Sequence, residues 1–292
     1  MSSTGVSVLC GIACELGEGP AYDPAADTLF WFDILGRKMI ELPLATGEAL
    51  QHDLPVMASA LAMVDHARQL LVTETGLQLR DRNTGDLTML QEVETDRPNM
   101  RSNDARVHPC GALWLGTMGK AAEEGAGAIY WFYKGELRCL YPRITIPNSI
   151  CFSPDGAIAF FADTRENRLY RVACDPELGL PVDDPILTIE GNEMAGGIDG
   201  SVVDAEGTLW NARWGGGRID AWSSSGEFIR SIDMPASQVT CPVFIGHDAS
   251  RMAVTSAHAG LSGQAREADS DAGRTFVLER SFNGRFDPPV VL

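Results

Sequence analysis

The chain is poor in histidine, in positive charge and in long apolar runs. Five histidines (His52, His66, His108, His247, His258) occur in 292 residues, none in H-x-H or H-E-x-x-H spacing, which excludes the common histidine-built zinc motifs. No G-x-S-x-G sequence is available to present a serine nucleophile. Lysine and arginine number 23 against 40 acidic residues, giving a formal charge of −17 and a pI near 4.6. Such a surface repels a phosphate backbone, so nucleic acid is not an expected partner. No apolar stretch approaches the roughly 20 residues needed to cross a bilayer. The first ten residues lack the basic-then-apolar pattern of a secretory signal. Seven cysteines, an odd number with no C-x-x-C pair, read as reduced thiols in a cytoplasmic protein.

What is present is a repeat. The segment from His108 to Met118 combines a polar turn with a following apolar strand, and the same pattern begins at Asp23, Asp65, Ser153, Asp204 and His247. A period of about forty residues is that of four-stranded propeller blades. The absence of a Trp-Asp dipeptide and of recurring glycine pairs excludes the WD40 and kelch types. With 30 Gly and 16 Pro to serve turns, the reading is an all-β, six-bladed β-propeller occupying residues 1–292 as one domain. The segment from Val6 to Cys14 precedes the first full repeat and is expected to close the ring as a strand of the last blade.

Five residues before each turn lie Glu18, Ala60, Asn103, Asn148, Asp199 and Pro242. Equivalent positions in radial repeats share one height around the central axis, so four oxygen-bearing side chains converge on one volume. Taken singly, each of the four suits a turn equally well. Together they suggest a cation site at the hub. Arg101 lies two residues before Asn103, on the same face of an extended strand, where it either meets an acidic or hydroxylated ligand or pairs with a hub carboxylate. Asp33 and Asp163 share another phase and are expected to fix hairpins. The polar segment 119–127 reads as a mobile loop over the mouth, and 260–274 as a long polar loop that either lines the mouth or is disordered. Gly215–Gly217 follow a strand without leading into a helix, so they make no phosphate cradle.

These motifs resemble the senescence-marker-protein/gluconolactonase (regucalcin-like) family. The resemblance rests on Leu16-Gly-Glu-Gly-Pro20, Arg101-Ser-Asn-Asp104 with Gly116-Thr-Met118, Pro147-Asn148 and Asp199-Gly-Ser201, and runs from about Glu15 to at least Leu261. It implies a six-bladed propeller in which Glu18, Asn148 and Asp199 hold one divalent metal ion and Arg101 and Asn103 contact substrate. It also implies hydrolysis of a sugar-acid (aldono) lactone. Ca²⁺, Mg²⁺, Mn²⁺, Fe²⁺ and Zn²⁺ all suit oxygen ligands in an open site. One position departs from the regucalcin-like pattern: Ala121 stands where an acidic substrate contact is expected, with Glu123 and Glu124 nearby. For mechanism, Asp199 is assigned as ligand and general base, because Gly196, Gly197 and Gly200 leave room for water beside it, whereas Gly19-Pro20 stiffens the backbone after Glu18. The rival reading is a non-catalytic propeller whose hub cation serves calcium binding or a protein partner.

Overall fold

The computed structural model describes residues 5–292; of the N-terminal expectation, Met1 to Thr4 lie outside them. Six four-stranded antiparallel sheets form the blades of a six-bladed β-propeller. The innermost strands are Gly17–Asp23, Ala58–Met63, Met100–Val107, Pro147–Phe152, Gly197–Val203 and Val239–Ile245. Val6–Cys10 pairs antiparallel with Thr275–Leu278, through Val6 with Leu278 and Val8 with Phe276. The N-terminal strand therefore completes the last blade, and the ring closes without a free edge at that junction.

The second strands, such as Thr28–Asp33 and Leu113–Gly119, are apolar almost throughout because both of their faces are covered by neighbouring blades. Trp114 and Trp131 of the third blade join Ile150, Phe152 and Phe161 of the fourth in one buried cluster. Trp114 and Phe152 meet edge to face with centroids 5.5 Å apart, an arrangement that adds to the burial itself. The outermost strands carry no such signal. Phe228–Asp233 is exposed at five of its six positions, so its sequence shows no inward and outward alternation.

Asp33 and Asp163 do fix hairpins. Asp33 accepts from Gly36 N–H and also from the N–H groups of Glu15 and Leu16. Asp163 accepts from Thr145, Ile146 and Arg165. The segment after Gly119 is a pinned turn instead of a free loop: Glu123 accepts from Ala121 N–H, Thr145 Oγ1 accepts from Gly125 N–H, and Arg97 donates to Ala126 O. Short polar side chains that cannot pack have here found backbone partners. Within 260–274 a helix, Gly263–Ala268, is capped by Ser262, and Asp269 accepts from the N–H and hydroxyl of Ser237. All seven cysteines are free, five of them buried, with Cys139 exposed. Among the described residues no helix is long and apolar enough to cross a membrane.

Residues 279–292 run as an extended tail across the face where the inner strands end. Phe282 N–H donates to Ser250 O, Arg285 to Val203 O and Phe152 O, and Val290 N–H to Met63 O. Nothing in the tail's sequence repeats, so periodicity could not place it.

Candidate active site at the hub

Antiparallel pairing breaks in all six inner strands at the phase of the hub residues. The breaks fall between Glu18 and Ala21, Ala58 and Ala60, Ser102 and Ala105, Asn148 and Cys151, Ile198 and Ser201, and Val239 and Pro242. In five of the six, two residues stand opposite one, the geometry of a bulge, which bends a strand and re-aims its side chains. The bulges also explain how Pro20 and Pro242 are tolerated in inner strands, since a residue at a bulge need not donate to the ladder.

Glycines make the close approaches this requires. Gly19 has φ +54°, and a Cβ there would lie 1.8 Å from Ser59 O of the next blade. A Cβ on Gly200 would lie 2.5 Å from Cys241 Sγ. Gly200 thus lets the Cys241 side chain of the sixth blade approach the Asp199 strand closely.

The structure joins Arg101, Asn103 and Asn148 in one buried hydrogen-bond network, while Glu18 and Asp199 are linked to Arg101 by charge. Arg101 donates from Nη1 to Asn103 Oδ1 (2.8 Å) and to Ser102 O (2.8 Å). Asn103 Nδ2 donates to Asn148 Oδ1 (3.0 Å) and Pro147 O (2.9 Å). Both amide hydrogens of Asn103 are therefore spent, which leaves Oδ1 as the atom through which it would meet a ligand, as an acceptor. Arg101 forms no ion pair with a hub carboxylate among the described residues, and its Nε and Nη2 have no hydrogen-bond partner there. Those groups are free to receive a ligand. Asn148 Nδ2 donates to Thr164 Oγ1 (2.8 Å), which itself donates to Ile198 O (2.6 Å), the carbonyl preceding Asp199. The Asn148 amide is oriented by this contact and tied to the Asp199 strand. Ser149, with φ +56°, donates to Asp199 O, and Asn211 Nδ2 reaches the same oxygen at 3.1 Å.

The site's electrostatics are those of crowded, buried acids. Burial, then the Asp104 charge, pushes Glu18 up to about 8. Burial and the charges of Glu18 and Asp104 raise Asp199 well above the ordinary carboxylate range. Asp104 is pushed up to about 6 by burial, although Arg106 opposes the shift. Burial brings Arg101 down to about 10 against the pull of Glu18 and Asp199.

Thr164, Asn211, Asp104 and Arg106 escaped sequence reasoning. Strict alternation would turn Asp104 away from a hub-facing Asn103, and only the bulge brings both inward. Thr164 lies in the turn after the second strand, where no repeat phase singles it out. Ala60 and Pro242, the apolar members of the ring, fill it without polar contacts. Glu123 and Glu124 are exposed, and Glu123 is held against its own turn. Among the described residues no three His, Cys, Asp or Glu side chains cluster as ligands; the donor set at the hub is two carboxylates and one amide.

Comparison with known proteins places this geometry. Residues 16–258 match the model of the SMP-30/Gluconolactonase/LRE-like region. A Rhizobium meliloti protein to which sugar lactone lactonase activity is ascribed is 48% identical over 276 residues, 94% of each chain. The L-arabinolactonase of Azospirillum brasilense is 32% identical over 92% of this chain and 90% of its own. The crystal structure of a calcium-binding protein, regucalcin, from Agrobacterium tumefaciens superposes with a TM-score of 0.96 at 50% identity, covering 98% of this chain and 97% of that one.

Proposed function

The chain belongs to the SMP-30/gluconolactonase/LRE-like family, and from that premise we propose that it is a cytoplasmic, single-domain lactonase. It opens a sugar-acid lactone to the aldonic acid with the help of one divalent cation held by Glu18, Asn148 and Asp199. The observation that carries this reading is the open end of Arg101 beside two buried carboxylates. In a mere scaffold that arrangement would leave a buried cation half-satisfied for no return.

The donor set fits a hard divalent ion. When ionised, the carboxylates of Glu18, Asp199, Asp104 and Asp287 outnumber the guanidiniums of Arg101 and Arg106 by two, and one such ion would neutralise the excess. Oxygen-only ligands with open positions suit Ca²⁺, Mg²⁺ or Mn²⁺, with Zn²⁺ and Fe²⁺ less well matched by softness. When bound, the ion supplies Lewis acidity toward the lactone carbonyl and toward water.

The chain's own residues do the rest. Arg101 donates from Nε and Nη2 to the ester oxygens and stabilises the oxyanion formed on attack. Asn103 Oδ1 accepts from a substrate hydroxyl. Asp199 takes the proton of the attacking water and returns it to the ring oxygen as the carbon–oxygen bond breaks, so that lactone and water give the hydroxy acid. The product acid ionises and releases a proton, which an indicator dye follows.

The test is a panel of aldonolactones assayed with chelated protein refilled with each metal in turn. Asp199→Asn, which keeps a ligand oxygen but cannot take a proton, is expected to lose roughly a hundredfold or more in kcat at saturating metal. Near-normal turnover with metal bound would remove the base role. Silence on every lactone with cation binding intact would leave the cation-binding propeller.

A further inference from the structure

The hub holds two buried charges that the proposed chemistry does not use. Asp104 accepts from Ile150 N–H at 2.7 Å. Arg106, two residues farther from the mouth, donates from Nη2 to Ser201 O (3.2 Å) and pairs through Nη1 with Asp287 Oδ2 at 3.0 Å. Asp287 reaches it from the C-terminal tail, 181 residues away in sequence. Beside it, Phe286 packs on Tyr22 with ring centroids 5.4 Å apart. Asp104, Arg106, Phe286 and Asp287 share the lining of a cavity of about 50 Å³, so the tail forms the floor of the hub. An ion pair whose carboxylate is about one-third exposed is weak evidence for stability in its own right. Its place on the axis beneath Glu18 and Asp199 indicates another use.

We infer that Asp287 is a positioning residue for the hub: by neutralising Arg106 from the far side, it preserves the negative potential that draws a cation to Glu18, Asn148 and Asp199. This rests on the cation reading given above. Without the Asp287 carboxylate, Arg106 keeps its positive charge against Asp104 and the hub becomes more positive by one unit. The bulge between Ser102 and Ala105 shortens this stretch of strand, so at about 3.3 Å per residue the Arg106 backbone lies at most roughly 10 Å below Asn103. At about that range one unit of charge alters divalent-ion affinity by roughly fourfold when screened as in bulk water, and by roughly a hundredfold at the lower effective dielectric of a buried site.

Calcium chloride and manganese chloride alone are titrated by calorimetry into chelated full-length wild type, Asp287→Asn, Asp287→Glu and Phe286→Leu, with circular dichroism and Tm as controls. The Asp287 side chain is 35% exposed, so the amide variant loses no core contact. The expected result is an affinity weaker by about fourfold or more in Asp287→Asn, recovery in Asp287→Glu, and unchanged affinity with a lower Tm in Phe286→Leu. Equal affinity in wild type and Asp287→Asn overturns the inference and leaves the cation site standing. An equal loss in Phe286→Leu also overturns it, since tail packing would then be the cause. A wild type that binds neither ion sinks the cation reading itself.

Discussion

At the scale of single residues, the hub works because its polar groups hold one another in place. Thr164 is the clearest case, accepting from Asn148 Nδ2 and donating to the carbonyl before Asp199. Replacing it with Val keeps the shape but removes both contacts, leaving the Asn148 amide held only by Asn103. Partners of this kind are commonly worth ten- to a hundredfold in metal affinity or activity. Thr164→Val is therefore expected to weaken cation binding by about tenfold or more, with Thr164→Ser restoring most of it. Calorimetry on the two variants checks this, and equal affinities would show that Thr164 only closes its turn.

At the scale of elements, ring closure depends on one short strand. Val6–Cys10 covers Thr275–Leu278, whose Phe276 and Leu278 are fully buried. Deleting residues 1–10 would leave Thr275–Leu278 as an open edge with unpaired backbone groups, a template for association with other chains. The expected outcome is a protein that aggregates or unfolds at least 10 °C lower, a shift corresponding to several kcal/mol for a domain of this size. Thermal melts and light scattering on the shortened chain decide the point; an unchanged melt would mean that the strand is decoration. Bulges in the inner strands are the other essential device. They cost six ladders their regularity and turn the hub side chains to the axis.

At the scale of the whole molecule, stability and cation binding are linked through pH. Glu18, Asp199 and Asp104 all have carboxyl groups raised in the folded state, the first to about 8 and the last to about 6. A raised carboxyl favours the protonated fold, so this stabilisation is complete below the unfolded value near 4 and is lost as pH rises through about 6 and then 8. Chelated protein should accordingly show a falling Tm between pH 5 and pH 8.5. Glu18→Gln, which cannot ionise, should flatten the upper part of that slope. Saturating cation should reverse it, because it binds the ionised form and stabilises by mass action. Melting curves across pH with and without chelator test all three statements, and a flat profile in chelated wild type would contradict the burial of these acids.

The sequence by itself determined the architecture and the ring of hub residues. Repetition carries that information: a pattern that recurs six times places Glu18, Asn103, Asn148 and Asp199 at one height without coordinates. It also assigned Asp33 and Asp163 to hairpins, since a shared phase next to a turn has a local cause. The tertiary structure alone decided what repetition does not encode. Asp104 faces inward only because a bulge interrupts alternation. Gly200 is filled against Cys241 because a neighbouring blade lies there, which the isolated motif could not show. Arg101 makes no ion pair with an acid among the described residues because Asn103 and a backbone carbonyl fix one arm of its guanidinium. Asp287 meets Arg106 across nearly two-thirds of the chain, a contact set by the path of a tail with no periodicity of its own.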